Sequence, residues 1–260
     1  MESEIAKLRR VTEEFVDKSR SVTTHTDVFD LEPTHTLDKP RLRRLKVPTE
    51  QHPVYDQTKR PPSILSIVSQ LIGPNIRQNG NKLNMKSPEG GSLVEWHQDQ
   101  ASYLQTNDDL LAVGVAMDDM LLENGWLLVI LGSHKDRVYN HHQNGVFVGA
   151  VTDPDFDPQN VVPIELKAGG ISIHHVRTLH ASAPNVSTCS RRLLYCQYCA
   201  AAACPLSGIG TLDSFNASMI QGGPTIEPRL ERVPVRTPQP HASRLHRAEY
   251  FSRYRGHWLC

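Results

Sequence analysis

The sequence predicts a mainly β protein, a sandwich or jelly roll with flanking N-terminal helices, and three observations carry that reading. Helical-period apolar runs are confined to the first 74 residues. From Asn75 onward, short apolar runs alternate with Gly, Pro, Asn and Asp, the pattern of many short strands joined by tight turns. No internal repeat and no second core interrupts the 260 residues, of which 38% are hydrophobic. That is enough to bury a substantial core, and β-rich barrels of this size are commonly one domain. Residues 1–260 therefore read as a single domain, with a helical flank over 1–74, a β core over 75–203 that carries the active site, and a C-terminal wrapping segment over 204–260.

The elements follow in order. Ile5, Leu8, Val11 and Phe15 recur at helical spacing, so Glu2 to about Ser19 forms an amphipathic helix. Residues 21–62 show no sustained period, and their basic run Arg41-Leu-Arg-Arg-Leu-Lys46 reads as a loop or a solvated face. Ser63 caps a second helix through Ile72, which Gly73-Pro74 stops. Strands are expected at Ile76–Met85, Leu93–His97, Leu110–Met117, Leu127–Ile130, Val161–Leu166, Ile171–His175 and Leu193–Ala201. Turns fall at Pro88-Glu-Gly-Gly91, Glu123-Asn-Gly125 and Ala168-Gly-Gly170. The Pro-rich stretch from Pro224 to Pro240 wraps the core or extends from it.

Charge narrows the partners. Lys+Arg and Asp+Glu both number 28, so no global field draws the chain to nucleic acid or to an anionic membrane. Small molecules are the expected partners, and nothing in the pattern indicates an oligomeric state. Met1 to Arg20 lacks the apolar core of a secretory signal, and no run approaches the roughly 20 apolar residues of a membrane span. A soluble, cytoplasmic protein is expected. Cys260 stands at the very end, where a prenylation motif would need it fourth from the end. Cys196, Cys199 and Cys204 lack a fourth ligand at suitable spacing and read as buried structural thiols, not as a zinc or iron–sulfur site. Gly90-Gly91 and Gly222-Gly223 lack the Lys-Ser/Thr sequel of a phosphate loop.

The chemistry concentrates at Trp96-His97-Gln98-Asp99, where an extended segment carries two potential metal ligands two residues apart. Period-two geometry places both on one side of the chain. His180, 83 positions later, is the candidate for a second imidazole. Two imidazoles and one carboxylate on one face of an iron(II) ion leave the opposite positions open for a co-substrate and oxygen. A His-x-Asp alone is weak evidence, but Arg191 lies eleven residues after His180, at the start of the next apolar run. A planar guanidinium there can hold a remote carboxylate through two parallel hydrogen bonds. Arg192 competes for that role, yet neighbours on a strand point to opposite faces, so only one of the two faces inward.

These residues, together with Leu122-Glu-Asn-Gly125, Gly132-Ser-His-Lys135 and His180-Ala-Ser182-Ala-Pro-Asn185 running to Ser190-Arg-Arg192, make the chain resemble the phytanoyl-CoA dioxygenase family. The resemblance is close over about Asn75 to Ala203 and looser over Asp27–Gly73. It implies a double-stranded β-helix that uses Fe(II), 2-oxoglutarate and O2 to hydroxylate a small organic molecule, releasing succinate and CO2. Carried over, it makes His97, Asp99 and His180 the catalytic iron triad, Arg191 the anchor of the far carboxylate of 2-oxoglutarate, and Ser182 a hydroxyl that joins that anchor. Gln98 falls on a position near the co-substrate. Asp99 itself disfavours halogenation, since related halogenating enzymes have a small residue there.

The sequence departs from the family at Leu131-Gly132-Ser133-His134, where a proline usually stands first, and it opens without an extra strand and helix that usually come before. The alternative reading that follows is a shortened jelly roll that binds metal and 2-oxoglutarate in a regulatory role. Tyr103, four residues beyond Asp99, is a candidate for the substrate pocket or for ordinary core. Trp96 reads as packing. His134, His141, His142, His174 and His175 read as surface or hydrogen-bonded structural residues, and Lys82 and Lys86 as solvated strand lysines, with reach toward 2-oxoglutarate as their alternative.

Overall fold

A computed structural model of the chain describes residues 2–236. The expectations for Cys260 and for the end of the Pro-rich stretch lie outside the described residues. The elements run α1 (Glu2–Lys18), β1 (Phe29–Leu31), β2 (Leu42–Lys46), α2 (Pro48–Gln51), α3 (Pro53–Gln57), α4 (Pro62–Ile72), β3 (Ile76–Lys86), β4 (Val94–His97), β5 (Leu110–Ala116) and β6 (Leu127–Ile130). Then follow β7 (His142–Gln143), β8 (Val146–Phe147), β9 (Val161–Ile164), β10 (Ile171–His175), β11 (His180–Ser182), β12 (Arg191–Ala200), α5 (Leu212–Ala217) and β13 (Met219–Gln221).

Two antiparallel sheets form the body. The larger has the order β1-β2-β3-β12-β5-β10, with β13 also paired to β3, and the smaller has the order β4-β11-β6-β9. Neighbours in each sheet come from distant parts of the sequence, as in a jelly roll. Alternation along β12 divides the interior. Leu194, Cys196, Tyr198 and Ala200 join the main apolar cluster with Ile5, Leu8, Val11 and Phe15 of α1 and Ile64, Leu65, Val68 and Ile72 of α4. Arg191 and Tyr195 face the opposite way, toward the smaller sheet. The helices thus cover the outer face of the larger sheet, and the inner face is left free for chemistry.

The basic run 41–46 is a correction to the sequence reading, because it forms β2, with Leu42 and Leu45 fully buried. Its pairing with β1 slips between Asp30 and Leu31, a bulge that lets two leucines three residues apart reach the same core. Arg43 and Arg44, between them, turn inward to a cavity. Cys196 and Cys199 are buried on opposite faces of β12, one in the main cluster and one beside Leu110, so they cannot share a metal ion. The C-terminal segment binds back on the core, where Arg229 N donates to Ala202 O and Glu231 N to Thr106 O. Among the described residues no helix is long and apolar enough to cross a membrane.

Candidate metal centre

Two strands of the smaller sheet bring the distant ligands together. His180 on β11 is the direct partner of His97 on β4, and their rings lie 4.0 Å apart, centroid to centroid. Asp99 follows His97 by two residues at the start of a single helical turn, and its Oδ1 lies 3.9 Å from His97 Nε2. One donor atom from each of His97, Asp99 and His180 falls within 4.8 Å of the others.

Protonation suits the same purpose. Burial pushes the His97 imidazole down to about 4 and the His180 imidazole well below its ordinary range, so both carry a free lone pair at neutral pH. Burial alone would raise the Asp99 carboxyl, but the charge of Lys82 beside it holds it well below the usual carboxylate range. The Nδ1 atoms of His97 and His180 meet the carbonyls of Glu95 and Thr178, at 2.7 and 2.9 Å, which fixes the tautomer and leaves Nε2 for a metal. Two neutral imidazoles and one carboxylate fit a divalent first-row metal such as Fe(II).

The cavity that contains these three residues is strongly basic. Arg43, Arg44, Lys82 and Arg191 line it against the single carboxylate of Asp99, together with Ser182 and with Lys86, whose ammonium is pushed well below the usual lysine range by burial and by the neighbouring Arg191 and Arg43. Such a charge balance suits a dicarboxylate. Arg191 is buried, and its Nε and Nη2 both donate to Gly125 O, at 3.0 and 2.6 Å. Burial brings its guanidinium down to about 10, so it stays charged at neutral pH. Gly125 has φ +92, and a side chain there would run into Lys86 and the Ala183 carbonyl. Only glycine can present that carbonyl to the guanidinium. Arg192 points away, to Asp118 (Nε to Oδ2, 2.7 Å) and to Glu13.

Other motifs in the sequence build the frame. Asn124 ties its own turn through Asp119 O and Leu121 N. Ser133 Oγ donates to Ile130 O and accepts from Leu179 N, just ahead of His180. Asn185 joins Lys86 O to Cys189 O across the base of β12.

Two site expectations need correction, Gln98 and the two lysines, and Tyr103 gains its neighbours. Gln98 does not face the cavity. Its amide donates to Arg137 O and Arg177 O and accepts from Tyr139 N, because alternation turns it away from the side that His97 and Asp99 share. Lys82 and Lys86 are not solvated. Lys86 is buried, with Nζ 2.6 Å from both Ser92 O and Ala183 O, and Lys82 Nζ lies 3.9 Å from Asp99 Oδ1. Tyr103 packs against Leu110, Val176, Cys199 and Ala203.

His174, expected to be a surface or hydrogen-bonded structural residue, stands beside the triad. It is buried, its Nε2 lies 3.7 Å from Asp99 Oδ2, and its ring lies 4.4 Å from that of His180. The signal was the alternation of β10, where Ile171 and Ile173 face the main core and His174 faces the other way. His141 is structural, holding Gln98 N and Tyr139 O.

The family described as Phytanoyl-CoA dioxygenase (PhyH) matches residues 1–193. The chain belongs to the phytanoyl-CoA dioxygenase family. It is 34% identical over 243 residues to a probable alpha-ketoglutarate-dependent hypophosphite dioxygenase of Stutzerimonas stutzeri, a match that spans 91% of this chain and 85% of that one. The phytanoyl-CoA dioxygenase domain-containing protein 1 of Danio rerio is 32% identical over 54% of this chain and 51% of its own length.

Among solved structures, EctD from S. alaskensis with bound Fe aligns over 90% of this chain and 81% of its own, with a TM-score of 0.64 and 18% identity. The alpha-ketoglutarate-dependent carbocyclase SnoK aligns over 86% and 85%, with a TM-score of 0.63 and 22% identity. These two likenesses place the fold. Family membership and the full-length relative make the chain an Fe(II)- and 2-oxoglutarate-dependent dioxygenase.

Proposed function

We propose that this dioxygenase hydroxylates a small molecule, with His97, Asp99 and His180 holding Fe(II) and Arg191 and Ser182 holding the far carboxylate of 2-oxoglutarate. The observation that carries the site is the convergence of one carboxylate and two neutral imidazoles beside a buried, charged arginine. When bound, the metal with 2-oxoglutarate and O2 supplies the oxidising chemistry, converting 2-oxoglutarate to succinate and CO2 and delivering one oxygen atom to the substrate.

The protein's share is placement. Asp99 supplies the negative ligand, and Lys82 balances its charge on the cavity side. The Glu95 and Thr178 carbonyls keep each imidazole in the ligating tautomer. Gly125 steers Arg191, and Leu127, Ala181 and Tyr195 supply the apolar part of the cavity lining.

For the substrate, the full-length relative's name supports a small phosphorus oxyanion. In the proposed reaction hypophosphite, 2-oxoglutarate and O2 give phosphite, succinate and CO2, a P–H bond becoming P–OH. The test is succinate release by the Fe(II)-loaded protein with hypophosphite and, separately, with phytanoyl-CoA. Hypophosphite is expected to stimulate succinate and to yield phosphite one for one. Stimulation by the acyl thioester and not by hypophosphite would overturn the substrate assignment.

A further inference from the structure

Alternation along β12 gives the interior an order that the triad and Arg191 do not use up. The residues facing inward are Arg191, Leu193, Tyr195, Gln197 and Cys199 in turn. Tyr195 is level with the triad, since its register partner on β3 is Lys82, whose Nζ stands 3.9 Å from Asp99. A dicarboxylate reaching from the triad to Arg191 fills the half of the interior on that side. Gln197 lies one inward position further along the other half, about 7 Å beyond Tyr195 at two residues of strand rise.

That other half contains polar groups without partners. Gln197 and Gln105 are each only 4% exposed. Gln105 Nε2 donates to Asn79 Oδ1 at 3.0 Å, while Gln105 Oε1, Asn79 Nδ2 and Gln197 Nε2 have no protein partner. Tyr103 packs against Cys199 in this layer, and its backbone N is bonded to Asp99 O at 3.2 Å, which ties the layer to the triad. Gly80 faces Gln197 across the β3–β12 pair, and a Cβ there would come within 2.8 Å of Gln197 Oε1, so the glycine keeps the amide unobstructed. Leu110, Val176, Cys199 and Ala203 close the layer from below.

Buried amides without partners cost stability, and native proteins retain them where something else completes them. We infer that Gln197, Asn79 and Tyr103 form the substrate subsite, with Gln105 Nε2 fixing the Asn79 amide so that its Nδ2 stays free, and that the subsite receives a small oxyanion between the amide donors and Lys82. The unpartnered Nδ2 and Nε2 groups offer N–H bonds, Lys82 offers the positive charge, and the nearby carboxylate, Asp99, is committed to the metal. A long acyl chain would lay methylenes against these amides and leave them unsatisfied. The inference rests on the dioxygenase reading and deepens it by naming the residues that choose the substrate.

The test is calorimetric and needs no turnover. Protein loaded with Zn(II), which is redox-inert, and with 2-oxoglutarate is titrated with hypophosphite, with phosphite and with a short acyl-CoA. The wild-type protein is expected to bind hypophosphite. Gln197→Leu, close in shape, is expected to weaken that binding about tenfold to a hundredfold, as for a lost hydrogen bond to a charged group. It should still take up 2-oxoglutarate, which shows the fold and the Arg191 half intact. Gln197→Glu should abolish oxyanion binding by like-charge repulsion. Equal hypophosphite affinity in both variants would overturn the subsite, as would binding of the acyl-CoA with no binding of either oxyanion. Failure of the wild-type protein to take up 2-oxoglutarate would instead overturn the underlying site assignment.

Discussion

His97 and His180 are direct partners across the β4–β11 pair, their rings 4.0 Å apart, although 83 positions separate them in the chain. The sheet, not a loop, therefore sets the spacing of the two imidazoles. Because each ring contributes one of three ligands, His97→Ala and His180→Ala are each expected to lower Zn(II) or Fe(II) affinity by at least about a hundredfold, beyond the 10- to 100-fold typical of groups that only orient a ligand. Calorimetric metal titration checks this. Two variants that bind metal like the wild-type protein would show that the cluster is not a metal site.

The neighbours Arg191 and Arg192 should separate by function. Arg191→Ala removes a buried charge from the cavity and is expected to weaken 2-oxoglutarate binding by about 2–5 kcal/mol, the usual cost of truncating one partner of a buried charged pair. Arg192→Ala breaks the contacts to Asp118 and Glu13 that tie β12 to β5's end and to α1, so it should lower thermal stability and leave 2-oxoglutarate affinity unchanged. Equilibrium binding and thermal unfolding of the two variants give the comparison. A loss of 2-oxoglutarate affinity in the Arg192 variant alone would reassign the anchor.

Gln98 should behave as a brace. Gln98→Ala removes three hydrogen bonds that hold the 137–139 segment and Arg177 O together, and it leaves buried backbone groups unpaired. A loss of about 1–3 kcal/mol for each unsatisfied group is expected. Denaturant unfolding should show the loss while 2-oxoglutarate affinity stays near that of the wild-type protein. The reverse pattern, normal stability with weak co-substrate binding, would restore the position near the co-substrate that the family resemblance implies.

Leu45 tests the strand that the sequence hides. It is fully buried against the main core and pairs in register with Leu83. Leu45→Ala is expected to cost about 2–5 kcal/mol, as for other buried leucines cut to alanine. A cost near zero in chemical denaturation would mean that β2 is not part of the core.

Strands whose apolar runs are bounded by turn residues are legible: Leu127–Ile130 and Ile171–His175 match the structure end to end. β2 was not legible, since a bulge replaces its period of two and four of the six residues from Arg41 to Lys46 are cationic. The short strand β11 escaped because three residues hold too little pattern, although His180 itself stood out. Alternation already turned Gln98 away from His97 and Asp99, and only the family resemblance argued otherwise. Lys82 and His174 were set aside on the ordinary behaviour of their residue types. Their burial beside Asp99 follows from pairings between β3 and β12 and between β10 and β5, which local sequence does not announce.

The central claim is that one cluster binds Fe(II) and 2-oxoglutarate together, and anaerobic titration of the protein with both, followed visually by the metal-to-ligand charge-transfer band, tests it most directly. The band is expected to appear only when metal and 2-oxoglutarate are both present, to be lost in His97→Ala, and to need more 2-oxoglutarate in Arg191→Ala. Absence of the band in the wild-type protein, with no succinate formed on admitting oxygen, would contradict the account.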